Sequence, residues 1–475
     1  MARVSKKSNP FFRLSPASQL NASCFGVEQG KIRQRADVNF WRITPFLEAT
    51  FESALFTPVK FGELVLTVQY GSSALAKLEP PGVPILRMNN LQDDGWDLTD
   101  LKYIEMTERQ LKTYKLYPGD LIFNRTNSKE LVGKCEVFRE FGDWVFASYL
   151  IRVQVDTNQL NPQFASDFLG TFTGRLQIDR LSRQIIGMTN INAEEIRQIL
   201  IPSPSLDQQH ELVAVMNRAR SQRKQKLAEA DALLSSLDDY LLTTLGLNRP
   251  VEDDRKVFAM RVQDVRSQGR LNSDYFHPER ILALRAMTSA AQTTNYQRLA
   301  DIVTFERNKL KTPGENYLGL AHVQSNTGEL TNIDDTATGN CFTFQRGDVL
   351  FARLRPYLNK VYRAEMDGCC SPEFHVLRIR DNNLLLPDYL AVILRNRLTL
   401  AQTIHMMTGN THPRLANDDV MNLVIPIPSI EIQEQISREV QRRREEVRSL
   451  RSEAEAEWEE AKQWFEEQLL GSAQL

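Results

Sequence analysis

Two stretches of the chain repeat apolar residues at helical spacing over lengths that ordinary globular helices do not reach. In the first, Val213, Met216, Leu227, Ala230, Leu234, Leu237 and Leu241 fall on alternating three- and four-residue steps, interrupted by Arg220 and Arg223. In the second, Ile436, Val440, Val447, Leu450, Ala454, Ala461 and Trp464 do the same. The first predicts a helix from about Leu206 to Leu245, roughly 60 Å long and ending at Gly246. Ile201-Pro-Ser-Pro-Ser205 and Ile425-Pro-Ile-Pro-Ser429 precede the two helices, and the residue before a proline is biased away from helix. Ser205 with Gln208 then forms a capping box, and Ser429 with Glu431 supplies an N-cap and an acidic first turn. Such stripes suit a coiled-coil seam, and pairing the helices with each other buries both; the alternative is a helix lying on its own globular domain. Residues 65–155 and 302–380 alternate apolar and polar positions between Gly, Asn and Asp clusters, which predicts strands.

The two halves follow one plan, at a spacing of roughly 225 to 240 residues. Arg35-Ala-Asp-Val-Asn-Phe-Trp41 is answered by Arg270-Leu-Asn-Ser-Asp-Tyr-Phe276, and Lys60-Phe-Gly-Glu-Leu64 by Arg298-Leu-Ala-Asp-Ile302. Pro118-Gly-Asp-Leu-Ile-Phe-Asn-Arg125 is answered by Arg346-Gly-Asp-Val-Leu-Phe-Ala-Arg353, a turn running into a short apolar strand that ends in arginine. Ile201-Pro-Ser-Pro-Ser-Leu-Asp-Gln-Gln209 is answered by Ile425-Pro-Ile-Pro-Ser-Ile-Glu-Ile-Gln433. Four matches in one order imply an internal duplication. The expected layout is α+β: an N-terminal segment with its first helix (1–56), an α/β module (57–204), a long helix (205–246), a connector leading into the second repeat (247–296), a second module (297–428) and a second long helix with a tail (429–475).

A length of 475 residues with 42% apolar residues is a prior for about two to four domains and excludes disorder as the main state. No run approaches the roughly 20 apolar residues of a membrane span, and the start of the chain lacks the apolar core of a signal peptide. Five cysteines without a CxxC pair fit a reducing compartment, with Cys24, Cys135 and Cys341 as small apolar residues and the adjacent Cys369 and Cys370 not bonded to each other. The expectation is a cytoplasmic protein. The net charge is −2, from 58 Lys+Arg against 60 Asp+Glu. Residues 431–470 hold seven Lys+Arg and twelve Glu, a net of −5, which leaves +3 elsewhere. A nucleic-acid face must therefore be local.

Catalytic patterns are not found. Gly133-Lys134-Cys135 lacks the earlier glycine of a phosphate-binding loop, and Asn9-Pro-Phe-Phe12 lacks the second proline of an amino-methyltransferase motif. Asp93, Asp94, Asp100 and Lys102 are of the residue types a metal-dependent nuclease needs, but they read better as a solvated polar loop. The histidines (210, 277, 322, 375, 405, 412) show no metal-ligand spacing, so neither a catalytic nor a metal site is expected. What remains is recognition. Asn124, Arg125, Asn127 and Lys129 follow a strand in copy one, and Arg353 and Arg355 occupy the same place in copy two. Arginine can donate two hydrogen bonds to guanine, asparagine can pair with adenine, and Lys, Ser and Thr suit phosphates. Further candidates are Ser72, Ser73 and Lys77 after Tyr70; Arg87, Asn89 and Asn90; Arg307, Lys309 and Lys311; and His322 with Gln324. Asn410, Thr411, His412 and Arg414 form another loop of donors before the second long helix.

This layout resembles the specificity subunit of type I restriction-modification enzymes. The resemblance rests on the ordered duplicate motifs above and on Gly409-Asn-Thr-His-Pro-Arg-Leu415. It implies two target-recognition domains, each reading one half of a bipartite, asymmetric double-stranded DNA sequence, with the two long helices packed as an antiparallel coiled-coil spacer. It further implies docking of two methyltransferase (M) subunits that bind S-adenosylmethionine, and of restriction (R) subunits that use ATP and Mg. None of those cofactors would belong to this chain, which would be non-catalytic and not membrane-bound. Copy one departs at Gly187-Met-Thr-Asn-Ile-Asn192, which lacks the Pro and Arg of copy two, so contacts proposed for that loop do not transfer. Other readings are the recognition subunit of a different restriction or phage-defence assembly, a self-contained nuclease, or a coiled-coil scaffold without a DNA role.

Overall fold

The computed structural model describes residues 3–5, 20, 26–28, 37–92, 95–129, 131–185, 188–248, 257–269, 271–289, 295–314, 316–331 and 339–471. Contacts divide the chain into two compact units, Met1–Leu227 with Ser452–Leu475, and Ala228–Arg451. Arg35 and Arg270, which open the first pair of motifs, lie outside the described residues, as do Asp93 and Asp94. Among the described residues no helix is long and apolar enough to cross a membrane.

The first unit is built on four antiparallel strands in the order Val65–Tyr70, Leu150–Val155, Leu121–Asn124, Cys135–Val137. The second repeats that order with Val303–Glu306, Phe374–Ile379, Val349–Ala352, Val361–Arg363. Leu121, Ile122 and Phe123, like Val349, Leu350 and Phe351, are buried on both faces, so these strands read as continuous apolar runs. The turn into each requires glycine: Gly119 has φ 98° and Gly347 φ 93°. The aspartate that follows closes the turn, Asp120 accepting from the Tyr117 N–H at 2.9 Å and Asp348 from the Gln345 N–H at 2.7 Å. Each module also pairs a short strand with the proline-bearing run before its long helix, Pro58–Lys60 with Leu200–Pro202 and Asn295–Arg298 with Val424–Ile427.

Buried glutamines hold the same junctions in both units. Gln177, on the helix Phe172–Leu181, donates to the Leu200 carbonyl and accepts its N–H; Gln402, on Arg397–Ile404, does the same with Val424. Gln209 accepts from the Asn161 N–H and donates to the Gln159 and Pro204 carbonyls, and Gln433 repeats the pattern with Leu386, Leu384 and Pro428. Both are fully buried, so each amide satisfies three backbone groups that water cannot reach.

The long helices run Leu206–Thr244 and Ile430–Leu470, and each contributes one half to each unit. The Ser205–Gln208 capping box forms as expected. Within the first unit the segments are antiparallel, Arg223 meeting Glu455 at 2.6 Å and Lys226 meeting Glu453 and Glu457. Within the second, Arg451 meets Asp231 and Arg443 meets Ser236 in the same sense. Helix pairing and helix-on-module packing are not alternatives here. Val213 and Met216 join Phe164, Trp458, Phe465 and Leu469 in the first unit's core, with the Phe164 and Phe465 rings 5.5 Å apart. Leu241, Ile436 and Val440 join Tyr389, Leu390 and Leu394 in the second. Trp464, on the expected stripe, packs half-buried against this core, and Trp458 and Phe465 are buried in it beside the stripe because the module covers a second face of the helix. Arg220 crosses the stripe by stacking on Trp458 at 5.3 Å and pairing with the buried Asp167 at 2.5 Å.

Candidate nucleic-acid interface

Arg125 and Arg353 stand where the central strand of each module ends. Arg125 donates its N–H to the Tyr149 carbonyl and accepts from Ile191; Arg353 donates to Glu373 and accepts from Leu415. The backbone at each strand end is thus fixed on both sides. In the first unit the Arg125 guanidinium lies 4.8 Å over the ring of the exposed Tyr70, whose hydroxyl accepts the Ala193 N–H. A flat cation stacked on an aromatic face keeps its N–H edge free for a planar acceptor.

In the second unit Arg353, Arg307 and Lys309 line a cavity of about 170 Å³ with Phe305, Phe342 and His375. Arg307 lies 5.5 Å over Phe305. His375 is buried, and burial pushes its pKa down to about 4, with the positive charges of Arg353 and Arg307 adding to the effect against a hydrogen bond to the Leu415 carbonyl. The acid lining the cavity, Glu306, is paired with Arg378. Three cations around one opening suit an anionic or acceptor-rich ligand edge.

The loop of donors joins this cluster. Arg414 pairs with Leu354 and Thr408 through the backbone and grips Glu373 at 2.7 to 3.2 Å; the Glu373 carboxylate raises its pKa. Arg355, exposed and at φ 50°, donates its N–H to the Pro413 carbonyl. Asn410, Thr411 and His412 are exposed at the loop tip. In the first unit Asn190 takes the place of Arg414, accepting from the Thr126 hydroxyl at 2.5 Å. The departure read from the sequence of copy one is therefore a different local chemistry, although Gly187 lies outside the described residues.

The other candidates divide. Ser72, Asn90, Asn124 and His322 are between 1 and 8% exposed and serve the frame. Ser72 bridges to Ala147, Asn90 accepts from the Arg87 N–H and donates to the Asp97 and Asp100 carbonyls, Asn124 donates to Leu131, and His322 accepts from Gly319. Asn90 and His322 thus close equivalent turns, a role that a polar residue type does not reveal. Gln324 accepts from Thr327, and Asn127 reaches the Met88 sulfur at 3.5 Å. Lys77, Arg87 and Lys129 pair with Glu105, Asp100 and Asp179. Ser73, Asn89 and Lys311 are exposed. Of the nuclease set, Asp100 is held by Arg87 and Lys102 lies in the strand Lys102–Ile104. Missing from the sequence reading are His375, Phe305 and Glu373; only the register of Phe374–Ile379 against its neighbours brings them beside Arg353.

Residues 294–443 match the family described as the type I restriction modification DNA specificity domain. The chain is similar to the putative type I restriction enzyme MjaX specificity subunit of Methanocaldococcus jannaschii, 22% identical over 33% of this chain and 37% of that one. It is also similar to the type I restriction enzyme EcoKI specificity subunit of Escherichia coli, 23% identical over 42% of each chain. The matched part thus spans about two-fifths of the length of these curated relatives. Among solved structures it is similar to the S subunit of a type I restriction-modification system from M. genitalium, at 13% identity and a TM-score of 0.40, over 86% of this chain and 96% of that one. The HsdS subunit from Thermoanaerobacter tengcongensis matches at 14% identity and a TM-score of 0.35, over 88% and 97%.

Proposed function

We infer that this chain belongs to the type I restriction-modification DNA specificity family and is the non-catalytic subunit that reads double-stranded DNA for such an enzyme. The modules at 57–204 and 297–428 each read one half of a bipartite, asymmetric target. The observation that carries this reading is the pair Arg125 and Arg353, held by equivalent backbone hydrogen bonds at equivalent strand ends but surrounded by different side chains. A common mount with unlike surroundings is what two half-sites of different sequence require. Arg355, Asn410, Thr411 and His412 serve phosphates or base edges beside Arg353, and Ser73, Lys77, Asn89, Asn127 and Lys129 are the further candidates of the first module.

By formal charge, 59–200 carries 16 Lys+Arg against 18 Asp+Glu, a net of −2, and 297–424 carries 14 against 14. Such modules bind DNA weakly alone and draw affinity from partners. In this reading the chain scaffolds two methyltransferase subunits, which hold S-adenosylmethionine, and restriction subunits, which use ATP and Mg; this chain binds none of these cofactors. The two long helices act as the spacer between half-sites.

The test is to co-express the chain with its methyltransferase partner in a methylation-free host and to map N6-methyladenine across the genome. A bipartite motif appearing only with both proteins supports the reading. No motif from an associated pair overturns it in favour of another defence assembly. Deleting four residues, about one 5.4 Å turn, from the first long helix is expected to shift the gap by about one or two base pairs or abolish methylation. An unchanged motif overturns the spacer role.

A further inference from the structure

Folding brings His405 beside His277 and Glu279, which lie far earlier in the chain. His277 and Glu279 flank Pro278 at the start of the helix Pro278–Ser289, and His405 follows the helix Arg397–Ile404, which packs against it within the second unit. One ligand atom from each of the three lies within 4.8 Å of the others. His405 Nε2 and Glu279 Oε2 are 2.8 Å apart, and the two imidazoles stack with centroids 3.9 Å apart and planes within 9°. Both rings are half-buried and Glu279 is exposed. Phe258 meets the His277 ring edge-on at 6.0 Å, an apolar wall beside the cluster.

We propose that His277, Glu279 and His405 form a binding site for a divalent transition-metal ion of the zinc class, which clasps these two helices of the second unit. Two imidazoles and one carboxylate are a zinc donor set, and a water on the Glu279 side completes four-coordination. Donors around a tetrahedral ion with bonds of about 2.1 Å stand about 3.4 Å apart, so turning one ring about its Cβ–Cγ bond and drawing the others in by about 1 Å closes the site. The ion replaces the His405–Glu279 hydrogen bond, and because it binds neutral imidazoles and an ionised carboxylate, acidification weakens binding. This site is separate from the Arg353 cluster and does not depend on the DNA-reading function.

The experiment uses the purified full chain, zinc added alone to metal-free protein, and cobalt(II) as a spectroscopic probe. The expected result is one zinc per chain, visible d–d bands with cobalt that zinc quenches, and a rise in unfolding temperature of roughly 5 to 10 °C at zinc about 100-fold above its Kd. His405→Gln and Glu279→Gln should each weaken binding at least 10-fold, while His210→Ala, at an exposed histidine on the other unit, should leave it unchanged. The Glu279 variant changes an exposed side chain, so it keeps the test open should the His405 variant fold poorly. Equal zinc binding by wild type and both variants, or no binding below about 100 µM, overturns the proposal.

Discussion

The two modules share several buried devices that satisfy the backbone and differ in what they display. Gln209 and Gln433, Gln177 and Gln402, and the Gly-Asp turns at 119–120 and 347–348 make the same hydrogen bonds. Around that frame the chemistry diverges. Asp120 is held by Gln154 where Asp348 is held by Arg378, and Ile151 stands where the second module has His375. Arg125 rests on tyrosine where Arg353 faces Arg307, Lys309 and a buried imidazole. A buried backbone group without a partner costs the same whatever the module displays, so duplication left those residues in place. The strand ends carry no such constraint.

If the frame is common, breaking it should cost both units alike. Gln209→Leu and Gln433→Leu each orphan three backbone groups and should each destabilise their unit by about 2–4 kcal/mol, read by urea unfolding. A large loss in one unit and none in the other would refute the equivalence. Acid should separate the modules. In the native state His375 titrates at about 4, and in the unfolded chain near 6.5, so the unfolded state takes up the proton first as pH falls. Its contribution, up to about 3 kcal/mol, is complete above pH 6.5 and lost by pH 4. In the first unit, burial raises the pKa of Asp120, Glu136 and Asp167, so those carboxyls destabilise the unit as pH rises, the opposite sign. Asp238, also raised by burial, opposes His375 within the second unit. His375→Leu should flatten the second unit's loss between pH 6.5 and 4; an unaltered slope would show that other groups govern it.

The recognition difference should show as half-site effects. Arg353→Ala is expected to relax discrimination roughly 10- to 100-fold at the second half-site alone, and Arg125→Ala at the first alone, measured on methylation of variant targets in the assembled enzyme. Equal loss at all sequences would make either residue a phosphate contact. The smallest effect belongs to Arg414→Ala, whose ion pair with Glu373 is half-exposed: the urea midpoint should move little while DNA binding by the assembly loses part of its salt dependence. Unchanged salt dependence would confine Arg414 to holding its loop.

The extent of legibility follows from the range of each interaction. The long helices, their starts after the proline runs, the glycine turns and the duplication are set within a few residues, so spacing and residue type disclosed them. Arg125 and Arg353 were visible for the same reason, as the last residues of a repeated turn and strand. The burial of Asn90, Asn124 and His322 could not be read, because a polar side chain looks alike whether it meets solvent or a buried carbonyl, and burial is decided by distant chain. The anchors Trp458 and Phe465 escaped the seam pattern because a module claims a second face of that helix.

By itself, then, the sequence determined the helix stripes, the two-copy plan and the arginines at the strand ends, all products of local geometry repeated along the chain. Only the tertiary structure decided that His375 faces Arg353, that Glu373 grips Arg414, and that His277 and Glu279 meet His405. Those partners are distant along the chain or lie across a sheet register, and the free energy that joins them comes from burial of the whole core, which no local pattern encodes.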